Sequence, residues 1–269
     1  MSAARGRYNR HMTGEPYGTL AGVYDWLVPD ALLEPEGSVA AFASVVDGLA
    51  PAARVLDCAA GTGQLAVGLA LRGFDVVASD ASSAMIECTQ VLAARNDVAL
   101  HTVVCPWEEL DRQSWRHAFD AVFCVGNSLT HAVSASGRRT ALAAMAGVLR
   151  EDGLLVVTSR NWELLRDLRP GLQVDDRLTE RAGGRGLVVR GWTFPEDWDE
   201  PHHLDVAVAV LGDTDTDPEA VATRSERLTF WPFRYEAFER DLAAGGFAVE
   251  SSTFTPDAER YLVTARRSR

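Results

Sequence analysis

The chain has 269 residues, 47% of them hydrophobic and 24% charged, which suits one large α/β domain with a smaller appendage. A formal net charge of -12 repels phosphate backbones and anionic lipid, so nucleic acid and membranes are poor partners and a small molecule is the better one. No apolar run approaches the ~18 residues of a membrane span. The N-terminus is polar rather than a signal peptide, which points to the cytoplasm. Cys58, Cys88, Cys105 and Cys124 form no C-x-x-C pair and read as buried thiols, not as a disulfide or metal set.

In chain order, Tyr17 to Trp26 carries aromatics at 17, 24 and 26 before a Val-Pro-Asp stop. An apolar rhythm through Val39, Phe42, Val45, Val46 and Leu49 predicts a helix over 36–49, ended by Pro51. Strands are then predicted at 54–57, 74–79, 98–104, 119–125 and 153–158. Helices are predicted between them at 64–72, 82–96 and 136–149. This alternation implies βαβ crossovers and a mainly parallel sheet covered on both faces. After Arg160 the pattern turns β-like over 185–211 and 221–235, joined by an acidic turn at 212–218. That reads as a small antiparallel insertion. A helix at 235–244 and strands at 247–251 and 261–265 resume the α/β pattern. The predicted organisation is an N-terminal lid (1–35), a core (36–165), a β cap (166–234) and a return to the core (235–269).

The candidate ligand site begins at the turn after the first strand, where Gly61-Thr-Gly63-Gln-Leu-Ala66 fits G-x-G-x-x-[G/A]. Glycine lets the backbone turn tightly and approach a ligand, but several nucleotide cofactors use this pattern. Asp57 separates them. A carboxylate just ahead of Gly61 repels a dinucleotide pyrophosphate, whereas it favours the ammonium and sulfonium of S-adenosylmethionine (SAM). Asp80, ending the second strand, is placed to accept ribose hydroxyls.

DCAAGTG (57–63), SDASSAM (79–85), CPWEEL (105–110) and GNSLTHA (126–132) fall in the order of class I SAM methyltransferases, and the chain resembles the glycine/sarcosine N-methyltransferases. The likeness includes Gly126-Asn127-Ser128-x-x-His131 and the Arg160-Asn161 pair, with an echo at 227–232. The resemblance implies a Rossmann-like seven-stranded, mainly parallel sheet with helices on both faces and an antiparallel final hairpin strand. It implies that Asp57, Ala59, Gly61, Gly63 and Val125 line the methionyl end. Asp80 and Ala81 fall at the ribose, and Met85 and Trp107 at the adenine, with plain core packing as the alternative for the last two. Tyr17, Tyr24 and Trp26 come from the segment that closes the pocket in that family, where their rings would attract a sulfonium, with aromatic packing on the domain as the alternative. Trp231 and Phe233 would bound the acceptor pocket.

Methyl transfer from a sulfonium is an in-line displacement that needs an aligned nucleophile and exclusion of water, so neither a triad nor a metal is expected. Arg160, at a carboxyl end of the sheet, can clamp an acceptor carboxylate. Asn127 on the neighbouring strand exit can orient the amine. His131 is a candidate base or orienter, with packing as the alternative. N-methylation of a small carboxylate-bearing amine is therefore set against O-methylation with His131 as base, an NAD oxidoreductase, and a non-catalytic SAM binder. The partner expected is a small-molecule acceptor, and a homo-oligomer is left open.

Overall fold

A computed structural model describes residues 17–181, 184–211 and 221–268. The acidic turn at 212–218, the first sixteen residues of the lid and Arg269 lie outside the described residues.

A 3-10 turn at Ala21–Leu27 leads into α1 (Pro35–Ala40) and α2 (Ala43–Val46). The helix predicted over 36–49 is thus broken in two at Phe42, whose ψ of 18° leaves the helical region while its ring packs edge-on against Phe123. Periodicity alone cannot register a break imposed by a contact 81 residues away.

The core alternates β1 (Arg54–Asp57), α3 (Gln64–Leu71), β2 (Asp75–Asp80), α4 (Ser83–Arg95), β3 (His101–Val104), β4 (Phe119–Cys124), α5 (Ser134–Val148) and β5 (Leu149–Arg160). After α6 (Trp162–Leu168) come the cap strands β6 (Leu172–Val174), β7 (Thr179–Arg181), β8 (Gly184–Thr193), β9 (His202–Leu211) and β10 (Val221–Phe230). Then α7 (Tyr235–Ala244), β11 (Phe247–Ser252) and β12 (Arg260–Arg267) return to the main sheet.

That sheet has seven strands in the order β11-β12-β5-β4-β1-β2-β3, with β12 antiparallel to β5 and β11, and parallel pairing elsewhere. Successive side chains on a strand face opposite sides. Leu56, Val122 and Leu155 therefore join Leu142 and Met145 of α5 and Phe238 of α7 in one buried cluster. Val55, Phe123 and Val156 join Leu65 and Leu69 of α3 in another. Each such fully buried side chain contributes about 2 kcal/mol of apolar transfer energy.

The order reverses beside β1, which pairs β2 on one side and β4 on the other, and a ligand crevice opens at the carboxyl ends of strands at such a switch point. The cap is an antiparallel sheet of β10-β9-β8-β6 with β7 also on β8. Along β9, His202, Leu204, Val206, Val208 and Val210 are buried and face Leu20, Trp26 and Trp162. The N-terminal segment is thereby held under the cap. Among the described residues, no helix is long and apolar enough to cross a membrane.

Candidate active site

The turn between β1 and α3 is built around two glycines with different jobs. Gly61 has φ +56°, and nothing lies within 4 Å of where a Cβ would stand, so its face is open toward the crevice. Gly63 has φ +93°, but a Cβ there would come within 2.8 Å of the Thr89 side chain, and its N–H donates to the Ala60 carbonyl. Gly63 lets α3 and α4 pack closely and does not line the cavity.

The turn is tied to the next strand by Asp80, whose two carboxylate oxygens accept the Gly61 and Ser82 N–H groups at 2.9 Å each. Both carboxylate oxygens of Asp80 thereby brace the turn. Ser82 then caps α4 by accepting the Met85 N–H at 3.5 Å.

These residues wall a cavity of about 530 Å³. Asp57, Ala59, Gly61, Asp80, Met85 and Val125 all line it, together with Tyr17 and Tyr24 of the N-terminal segment. Asp57 is 1% exposed, its one hydrogen bond is from the Ala59 N–H at 3.3 Å, and it meets no cation among the described residues. Burial pushes its carboxyl up to about 7, with the Asp80 charge adding to the rise and the Ala59 bond opposing it. A buried acid lacking a positive partner, beside a second acid suited to hydroxyls, fits a cationic nucleoside such as SAM and conflicts with a pyrophosphate.

Three predicted cofactor contacts stand elsewhere. Trp107 packs on the core cluster and donates its indole N–H to the Cys58 carbonyl at 2.7 Å, off the cavity lining. Ala81 is exposed on the turn after β2, and Gly63 faces Thr89.

On the acceptor side, the carbonyl oxygen of the Asn127 side chain and one of its amide N–H groups are already engaged. Its Oδ1 accepts from the Ser159 hydroxyl (3.2 Å), the Arg160 N–H (3.0 Å) and the Trp162 indole N–H (3.0 Å), and its amide donates to Thr130 (3.0 Å). At 4% exposure it is the knot joining β4, β5 and α6, and it fixes where Arg160 emerges. Asn161 is likewise structural, capping α6 at Leu164 and donating to the Thr255 and Pro256 carbonyls.

His131 is also engaged at both nitrogens. Nδ1 lies 2.9 Å from the Thr229 carbonyl, which can only accept, so Nδ1 carries the proton and Nε2 accepts from the Tyr17 hydroxyl at 2.9 Å. Burial lowers its pKa to about 4. The histidine orients Tyr17 and holds it against the cap.

Arg160 is half-buried, makes no side-chain hydrogen bond or ion pair among the described residues, and lies 5.7 Å from the Trp192 ring. Burial, then the neighbouring Arg260 and Arg190, lower its pKa to about 10, while the phenol of Tyr17 lies within its electrostatic reach. It borders a second cavity of about 570 Å³ under the cap, with Trp192, Arg190 and Glu259.

Trp231 is on neither of these cavities. Its N–H bonds the Thr130 carbonyl at 2.6 Å, and it lines a separate recess with Arg138 and Trp198. The preceding residue, Phe230, faces Trp162 at the cap's inner surface. Phe233 lies in the core, with Arg138 over its ring at 4.5 Å. Trp26 is buried against the cap, not in the cavity.

The residues that sequence reasoning missed come from distant segments. Glu226 of β10 accepts the Tyr17 and Thr19 N–H groups at 2.7 and 3.2 Å and so holds the lid. Thr253, Arg260, Tyr261 and Leu262, at the β11–β12 hairpin, close one side of the main cavity. Nothing in their local sequence marks them.

Residues 55–153 match a methyltransferase domain family. The chain is 42% identical over 116 residues to a glycine/sarcosine N-methyltransferase of Aphanothece halophytica, a stretch covering 43% of each protein. It is 33% identical over 193 residues to the glycine/sarcosine N-methyltransferase of Parasynechococcus marenigrum, covering 72% of this chain and 62% of that one. These matches thus span about half the length of the curated relatives. The fold matches that of the SAM-bound amino pentose methyltransferase of Micromonospora echinaspora, with TM-score 0.66, 20% identity, and coverage of 98% and 100% of the two chains.

Proposed function

We propose that this chain, a member of the SAM-dependent methyltransferases by its domain and its fold, transfers a methyl group to the amine of a small carboxylate-bearing metabolite. What carries this reading is an unpaired, half-buried Arg160 guanidinium on the cavity under the cap, paired across the β5–β12 ladder with Arg260 on the wall of the neighbouring cavity that holds Asp57 and Asp80. The relatives named for glycine and sarcosine support it.

When bound, SAM supplies a methyl group on a positively charged sulfur. Asp57, charged once a cation lies beside it, holds the methionyl end, and Asp80 accepts the ribose hydroxyls while keeping the turn in place. Tyr17 and Tyr24, edge to face at 5.6 Å, form an aromatic wall over the reacting end and exclude water. Arg160 clamps the acceptor carboxylate, and the Asn127 knot holds Arg160 at a fixed exit from β5. A neutral amine already carries a lone pair, so no residue need take a proton during the transfer.

O-methylation with His131 as base is the weaker reading, because both ring nitrogens are spoken for and burial keeps the ring neutral without a free acceptor site. The test is transfer from methyl-labelled SAM to a panel of amino acids, carboxylate-free amines and hydroxylated acceptors. Label on carboxylate-bearing amines is expected; label on hydroxyls or on carboxylate-free amines alone would overturn the proposal.

A further inference from the structure

Arg260 opens β12, and its Cα pairs with that of Arg160 in the antiparallel β5–β12 ladder. Directly opposed residues lie about 5 Å apart with side chains on the same face of the sheet, and like charges in such pairs repel. The two cations lie close enough that Arg260 depresses the pKa of Arg160. Arg260 is exposed as a residue, and the partial desolvation of its guanidinium lowers its pKa as well, against the attraction of Tyr24 and Glu259.

Other arginines near the cap have acids to match. Arg190 meets Asp175 at 2.9 Å, and Arg181 meets Asp30 at 2.6 Å. Arg260, like Arg160, makes no ion pair or side-chain hydrogen bond among the described residues, although Glu259 is adjacent in sequence and attracts both. Among the described residues that line the main cavity, Arg260 is the one cation, in a lining that also holds the acids Asp57 and Asp80. Residues 17–53, which supply much of the wall, contain no lysine or arginine.

We propose that Arg260 is a carboxylate anchor of the main cavity, working beside Arg160. A guanidinium held against a like charge without its own acid is stabilised when a ligand brings the missing negative charge, and its forked N–H groups suit a carboxylate. Two carboxylates reach this cavity on the reading given above, the methionyl group of SAM and that of the acceptor. The inference rests on that reading for the ligands, and on the ladder register and cavity lining for the residue.

The experiment uses the full chain with Arg260→Gln and Arg260→Lys. Calorimetry measures SAM binding, and, with S-adenosylhomocysteine present, the binding of acetate as the simplest carboxylate probe. Arg260→Gln is expected to weaken one of these by about tenfold or more, the scale of a lost charge-assisted hydrogen bond. Arg260→Lys should recover part of the loss by restoring the charge without the fork. A loss confined to SAM assigns Arg260 to the cofactor's carboxylate; a loss confined to acetate assigns it to the acceptor's. Unchanged affinity for both in Arg260→Gln overturns the inference. Failure of the unsubstituted chain to bind SAM overturns instead the cofactor-site reading. Melting of the ligand-free variants separates these results from misfolding, since losing one of two opposed cations leaves the midpoint unchanged or raised.

Discussion

The two ends of the central crevice are built in opposite ways. The proposed cofactor end comes mostly from one stretch, Asp57 to Met85, with Val125 added after β4, and its shape is set largely by a left-handed Gly61, the Gly61 N–H to Asp80 and a serine cap on α4. The proposed acceptor end is assembled from the N-terminal segment, the exits of β4 and β5, the cap strand β10 and the start of β12, and is held largely by side chains. A backbone-built site is local and tolerant of change around it. A side-chain-built site can be re-specified by single substitutions, and it also depends on every segment that delivers one of its parts.

The largest expected effect is at the cofactor end. Asp57→Asn removes the buried acid, and SAM affinity measured by calorimetry should fall about a hundredfold. The ligand-free protein should melt higher than the parent at neutral pH, because the burial penalty on that carboxylate is gone. Unchanged SAM affinity would break the contrast between the two ends.

Arg160→Ala should raise the acceptor KM about tenfold or more while leaving the SAM dissociation constant within twofold. Equal losses in both would mean that the ends are not separable.

The pH dependence sharpens the same contrast. A carboxyl raised to about 7 in the folded state is protonated below that pH, so a cation placed beside it must displace a proton. SAM affinity should therefore weaken as pH falls below about 7, approaching tenfold per unit. The sign for folding is opposite. A raised acid binds more protons folded than unfolded, so its contribution to ligand-free stability falls as pH rises from the ordinary carboxylate value of 3.8 toward 7. Both trends should vanish in Asp57→Asn.

The smallest effect expected is at the lid. Glu226→Gln keeps an acceptor for only one of the Tyr17 and Thr19 N–H groups, which bond different carboxylate oxygens, and removes the charge; it should cost about 1 kcal/mol. It should appear as a several-fold rise in acceptor KM with SAM binding intact. A change in SAM binding alone would show that Tyr17 serves the cofactor end.

How much of this was legible follows from the same division. The strands of the main sheet were readable because burial on both faces makes them near-continuous apolar runs. Asp57, Gly61 and Asp80 were readable because their spacing lies within one βαβ unit. The cap strands β6 and β7 escaped notice, being three residues each and, in β6, exposed at every position, with too little apolar signal to mark them. Asn127 was recognised as important, yet its role turned on the partners it meets: Ser159, Arg160 and Trp162 occupy its carbonyl oxygen, and Thr130 one amide N–H, before any acceptor arrives. His131 followed the same course once Thr229 and Tyr17 were brought to its ring.

By itself, then, the sequence determined the parallel sheet, the glycine turn and the two acids flanking it, because each depends on residues a few positions apart and on the alternation of apolar with polar. Only the tertiary structure decided which polar side chains remain free. Hydrogen-bond saturation and unpaired charge are properties of neighbours, and the neighbours of Arg160 and Arg260 are set by a strand register joining positions 100 residues apart.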